Sequence, residues 1–198
     1  MSSSSSIQLQ IGDALVVVDV QNDFLPGGSL AVPDGGAVVP AINRYLAAFA
    51  ARALPVYATR DWHPPNHCSF RAQGGIWPPH CVAATPGAAF APGLALPAAA
   101  IVVSKAETAE ADAYSGFAGT GLAVRLRSGG CTRLYLGGLA TDYCVFNTVK
   151  DALSEGFAVL LLEDAIRAVD VHAGDGARAL VEMQELGARI IHYEDLAP

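Results

Sequence analysis

Six short apolar runs rich in Val, Ile and Leu recur along the chain, and segments with helical spacing separate several of them. That alternation is the sequence pattern of βαβ units, and it restricts the chain to a mostly parallel sheet, because parallel neighbours need crossover connections. The first run, ALVVVDV at 14–20, is continuous rather than alternating, which suits a strand covered on both faces. Further strands are expected at 55–60, 100–105, 133–139, 157–164 and 189–193. Helices are expected over 37–53, 142–156 and 172–187, the last ending at Gly187, where a left-handed cap is common. The expected fold is α/β in three layers: a sheet of about six mostly parallel strands with helices on both faces. A length of 198 residues fits one domain whose core needs neither disulfides nor a structural metal. That domain is read as residues 11–198, preceded by a serine-rich, disordered tail over 1–10.

Composition narrows the partners. A net charge of −7, without clustered Lys or Arg, argues against nucleic acid and against an anionic membrane surface, and leaves a small molecule as the expected ligand. No signal-like segment opens the chain and no apolar run approaches the roughly 20 residues that span a bilayer, so a cytoplasmic protein is expected. The four cysteines form no CxxC pair, which favours reduced thiols and leaves a catalytic thiol available. No GxGxxG follows the first strand and no GxxxxGK[ST] occurs, so no nucleotide cofactor is expected. The Ala-rich outer faces leave a homo-oligomer open.

In open α/β sheets ligands sit beyond the carboxyl ends of the strands. Here those ends deliver Asp19 after the first strand, Asp61 and His63 after the second, Lys105 after the third, and Cys144 just past the fourth. Taken singly, Asp19 also reads as a turn cap, Lys105 as a solvated strand end and Cys144 as a small buried hydrophobe. Together a carboxylate, an ammonium and a thiol on one rim point to nucleophilic catalysis. With Thr141 as the N-cap of the next helix, Cys144 falls in its first turn, where free N–H groups favour a thiolate, and a nearby Lys105 would lower the thiol pKa further.

The longest stretch with neither strand nor helix pattern is 61–99, and a loop of that length in a compact domain carries function or is disordered. It opens with RDWHPPNHCSF at 60–70 and WPPHC at 77–81, which hold three of the five histidines of the chain. His63 and His67 have the spacing that places two ligands on one helix face, but Pro64 and Pro65 between them forbid a regular helix. Asp61, His63 and His80 make an Asp-His-His set suited to Zn²⁺, Fe²⁺ or Mn²⁺ with coordination positions left open. The competing reading is three unrelated loop histidines.

The same segments carry a family resemblance. DVQNDFLPGGSL (19–30), DWHPPNHCSF (61–70), WPPHC (77–81), Lys105, YSGF (114–117) and GLATDYCV (138–145) resemble, in order, the motifs of nicotinamidases within the isochorismatase-like cysteine hydrolases. The match runs from about 13 to 193. Sibling families share the Asp, Lys and Cys; the combination of DWHPxxHxSF with WPxHC is similar to nicotinamidases in particular. The resemblance implies a triad of Asp19, Lys105 and Cys144 and one divalent metal, Zn²⁺ first and Fe²⁺ or Mn²⁺ next, held by Asp61, His63 and His80 with Ser69 or His67 close by. It further implies Phe24 and Trp77 flanking a pyridine ring whose nitrogen meets the metal, Tyr114 closing the pocket, and Gln21 orienting groups near the triad. Leu139 and Ala140, joined by a cis bond, would adjoin the substrate, with the N–H groups of Ala140 and Cys144 as an oxyanion hole. The implied activity is hydrolysis of nicotinamide, and of pyrazinamide, to the acid and ammonia through a thioester. One departure is a slightly longer segment between Lys105 and Tyr114. Three alternatives stay open: another small carboxamide as substrate, a metal-bound hydroxide with Cys144 a bystander, and a non-catalytic binding protein.

Overall fold

The computed structural model describes residues 6–197; residues 1–5 and 198 lie outside the described residues. Strands β1 (Asp13–Val18), β2 (Val56–Asp61), β3 (Ile101–Lys105), β4 (Arg133–Leu139), β5 (Ala158–Arg167) and β6 (Arg189–Ile191) form one sheet in the order β3-β2-β1-β4-β5-β6. Every neighbouring pair is parallel. Helix α1 (Val38–Ala50) covers one face, while α2 (Leu122–Ser128), α3 (Phe146–Ser154) and α4 (Asp175–Glu185) cover the other. This is the expected three-layer α/β fold, fully parallel rather than mostly so.

β1 lies at the centre, and all six of its residues are buried. Leu15 and Val17 join the α1 side of the core, and Ala14, Val16 and Val18 join the other. Both faces are therefore dry, which is why the run reads as continuous apolar sequence. Burying each Val or Leu stabilises the fold by about 1.5–3 kcal/mol. The amphipathic helix α1 presents Ile42, Tyr45, Leu46 and Phe49 to the sheet at helical spacing.

Two local readings differ from the structure. The pattern predicts no helix at 122–128, yet α2 forms there, with Leu122 and Leu126 fully buried one turn apart. A seven-residue helix is too short to establish a period, and it is burial of those two leucines that makes it. Of the tail expected over 1–10, residues 1–5 lie outside the described residues, and residues 6–10 are tied to the domain. Ile7 and Leu9 are buried, and Ile7 exchanges hydrogen bonds with the C-terminal segment, its N–H to the Asp195 carbonyl at 2.7 Å and its carbonyl from the Ala197 N–H at 2.8 Å.

Strand order reverses between β1 and β4, and the crevice beyond their carboxyl ends is where such sheets bind ligands. At this point Gly138 has φ +134°, and a Cβ there would lie 2.0 Å from the Val18 carbonyl oxygen, so only glycine lets the two chains approach so closely.

Candidate active site and metal centre

The rim at the switch point gathers Asp19 directly after β1, Asp61 at the end of β2, Lys105 at the end of β3 and Cys144 in the turn after β4. That turn is wide: the N–H of Val145 bonds the Ala140 carbonyl five residues back at 3.0 Å, and α3 follows without a break. Thr141 is inside this turn and makes no side-chain cap, contrary to the expected N-cap. Cys144 nevertheless lies in the first turn. The Leu139–Ala140 peptide is cis.

Lys105 is the hub. Its ammonium lies 3.0 Å from Asp19 Oδ2, donates a short hydrogen bond to Asp61 Oδ1, and reaches the Ala113 carbonyl at 2.9 Å and Cys144 Sγ at 3.5 Å. All four side chains are buried. Burial pulls the Lys105 pKa down, but Asp19 and Asp61 outweigh it and hold the charge. Burial likewise raises the Asp19 pKa, only partly offset by Lys105. On Asp61 burial is outweighed by Lys105 and His63, which together hold the carboxyl well below its usual range. The Cys144 thiol is pushed well above its ordinary value by burial, against the pull of Lys105 and with Asp19 and Asp61 adding to the rise. Desolvation thus works against the thiolate expected from the helix turn, since the one nearby ammonium is already shared by two carboxylates.

Asp61 faces two ways. Its second oxygen, Oδ2, lies 3.6 Å from His63 Nε2. Asp61, His63 and His80 are buried and offer ligand atoms all within 4.8 Å of one another. His80 Nδ1 bonds the Pro78 carbonyl at 2.8 Å, so its N–H is used there and Nε2 is left with a free lone pair. Both ring nitrogens of His63 are buried without a hydrogen-bond partner. A buried imidazole left bare is costly, and a cation between these donors would satisfy it. Two carboxylates around one ammonium also leave the buried cluster in negative excess, which a cation relieves. The residues thus fit a divalent metal. Asp19, Asp61 and Cys144 form a second close group of donors, but the Lys105 ammonium fills its centre.

His67 is not arranged as a ligand. Its Nε2 faces the Ala111 carbonyl at 3.2 Å and its Nδ1 faces Ser69 Oγ at 2.7 Å, while its ring stacks on His63 with centroids 4.1 Å apart. With its N–H used on Ala111, Nδ1 accepts the Ser69 proton and turns the hydroxyl lone pairs outward. Ser69 lines the cavity; His67 does not.

The cavity, about 500 Å³ including its mouth, runs from Cys144 and Ala140 at one end to Asp61, His63 and His80 at the other. Phe24, Trp77, Tyr114 and Tyr143 form its aromatic walls, and Leu30, Val32 and Val169 its aliphatic ones. Trp77 meets Tyr143 edge-on with centroids 5.2 Å apart and donates its indole N–H to Tyr114 Oη at 3.0 Å. Tyr143, Leu30, Val32 and Val169 escape sequence reasoning; Tyr143 is next to Cys144, but nothing in a single sequence says which way its ring turns. Gln21 and Leu139 do not line the cavity. Gln21 grips the Asp61 backbone, accepting its N–H at 2.8 Å and donating to its carbonyl at 2.8 Å. Leu139 packs into the α1 side of the core.

The Isochorismatase domain model matches residues 13–195. The chain belongs to the isochorismatase family. Within it, the chain is 39% identical to the nicotinamidase of Escherichia coli (strain K12), over 92% of this chain and 95% of that protein. The pyrazinamidase of Pyrococcus horikoshii, solved in complex with zinc, superposes with a TM-score of 0.89 at 48% identity, covering 92% of this chain and 99% of that one. A structure from L. infantum in complex with nicotinate gives 0.90 at 39% identity, covering 97% and 98%. No helix among the described residues is long and apolar enough to cross a membrane.

Proposed function

We propose that this protein is a nicotinamidase that hydrolyses nicotinamide to nicotinate and ammonia, accepts pyrazinamide as well, and so serves NAD salvage in the cytoplasm. The observation that carries the reading is one cavity with the Cys144 thiol at one end, backed by the Lys105 ammonium and the Asp19 carboxylate, an Asp-His-His set at the other, and aromatic walls between. Such a cavity takes a flat ring with a carboxamide on one edge and a ring nitrogen on another. Relatives that act on nicotinamide and pyrazinamide, and one bound to nicotinate, support the same substrate. The chain is taken to act as one catalytic domain.

Cys144 is the nucleophile. Its sulfur attacks the carboxamide carbon while its proton passes to Asp19, and Lys105 balances the charge of the carboxylate pair around it. The backbone N–H groups of Ala140 and Cys144 receive the oxyanion. Asp19 then gives the proton to the leaving nitrogen, ammonia departs and a thioester remains. Asp19 next takes a proton from water, which attacks the thioester carbon; collapse releases nicotinate and returns the proton to sulfur. Phe24, Trp77 and Tyr114 hold the ring, and Gln21 fixes the backbone of Asp61. Asp61, His63 and His80, with Ser69 beside them, would hold the metal, Zn²⁺ in keeping with the Pyrococcus horikoshii pyrazinamidase and Fe²⁺ or Mn²⁺ suited to the same donors. When bound there, the metal supplies a Lewis-acidic anchor for a ring nitrogen.

Ammonia release by the purified protein from nicotinamide, pyrazinamide, benzamide and aliphatic amides tests the reading. Nicotinamide and pyrazinamide should lead, and alkylation of the thiol should abolish release. Preference for an aliphatic amide would overturn the substrate, and full activity after alkylation of Cys144 would transfer the chemistry to a metal-bound hydroxide.

A further inference from the structure

The two oxygens of the Asp19 carboxylate have unlike surroundings. Oδ1 accepts a hydrogen bond from Thr59 Oγ1 at 2.6 Å, and both side chains are fully buried. Oδ2 lies 3.0 Å from Lys105 Nζ yet receives no well-directed hydrogen bond. The Lys105 ammonium meets Asp61, the Ala113 carbonyl and Cys144 Sγ in better hydrogen-bond directions than it meets Oδ2. A buried carboxylate oxygen without a donor is costly unless the site uses it.

Thr59 sits on β2, beside β1, and its orientation is fixed by packing. A Cβ at position 116 would come within 2.8 Å of the Thr59 methyl carbon, so it is the bare Gly116 that makes room for that methyl. Gly116 is itself held, its N–H bonding Thr148 Oγ1 at 3.0 Å. With the methyl seated against Gly116, a β-branched side chain has little rotameric freedom left, and the hydroxyl stays on Asp19.

We propose that Thr59 is a positioning residue that divides the labour between the two oxygens of Asp19: by occupying Oδ1 it leaves Oδ2 as the oxygen that takes the proton from Cys144 and passes it to the leaving nitrogen. Thr59 touches neither substrate nor metal ligand side chain in this role; it acts through Asp19. The inference rests on Asp19 being the base. It also accounts for threonine in place of serine at 59, since the methyl locks the hydroxyl, and for glycine at 116.

The test uses metal-loaded, full-length protein. Thr59→Val keeps the branched shape and removes only the donor; kcat for nicotinamide should fall by about tenfold or more while KM changes less than about twofold and thermal unfolding stays cooperative. Thr59→Ser restores the donor and should recover most of kcat. Gly116→Ala should lower kcat in the same way by displacing the Thr59 methyl. A Thr59→Val enzyme with kcat within about twofold of the parent, or a Thr59→Ser enzyme as slow as Thr59→Val, overturns the proposal. Should Thr59→Val not fold, Thr59→Ala against Thr59→Ser gives the same comparison, and equal rates overturn it. Asp19→Asn separates the two levels: an inactive Asp19→Asn with a fully active Thr59→Val sinks the role of Thr59 alone, whereas an active Asp19→Asn sinks Asp19 as the base.

Discussion

Asp19, Lys105 and Cys144 come together at the ends of β1 and β3 and in the turn after β4, with Cys144 on the cavity wall, whereas His63, Ser69 and His80 hang on a loop with no regular element longer than a single turn. The triad is placed by the sheet: once the strands are in register, the residue after each strand has little choice of position. The metal end is placed by individual hydrogen bonds. His63 and Cys81 are tied backbone to backbone at 3.0 Å, Trp77 bonds the Ser69 carbonyl at 3.0 Å, and Asp23 Oδ2 accepts the Cys81 N–H at 2.7 Å. One end is thus as rigid as the core, and the other depends on a few polar contacts that single substitutions remove. The chemistry should sit in the first and ring recognition in the second.

The largest expected effect is at the rigid end. Cys144→Ala should lower kcat by at least about a thousandfold, with nicotinamide still bound in calorimetry, because the walls and the metal end are untouched. Residual turnover within about tenfold of the parent would mean that the two ends do not divide the work this way.

Metal removal comes next. Chelation, or His63→Ala, should raise KM for nicotinamide by about tenfold or more, since the lost contact is made in ground and transition states alike. Much of the preference for nicotinamide over benzamide, which lacks the ring nitrogen, should go with it. A folded, metal-free protein that still discriminates between the two amides would make the metal structural.

Asp23→Asn tests whether the loop really depends on single bonds. Asp23 reaches no donor of the metal set, but its carboxylate holds Cys81, which has a positive φ of 45°, directly after His80. Zinc affinity measured by competition with a chelator should drop about tenfold, as it does for outer partners of metal ligands, with kcat at saturating metal close to the parent. Unchanged zinc affinity would show that the loop keeps its shape without this bond.

The smallest effect is expected at His67. It orients Ser69 and stacks on His63 without offering a free nitrogen, so His67→Ala should weaken zinc binding only a fewfold, and less than His63→Ala. A loss as large as that of His63→Ala would place His67 among the ligands.

The strands, three of the four helices and the residue types gathered at the rim were legible in the sequence, because periodicity and strand ends are local properties carried within a few residues. Gly187, for instance, reads as a helix stop and has φ +112°. What the tertiary structure decided are relations across forty residues or more. Thr59 meets Asp19 only because β2 lies beside β1, Gln21 does its orienting as a clamp on the Asp61 backbone, and Leu139 faces the core. The electrostatic surroundings of Cys144 belong to the same class. Its position in a first turn favours a thiolate, but complete burial and two nearby carboxylates push the thiol pKa up against the single shared ammonium, a balance set by distances in three dimensions that no spacing along the chain encodes.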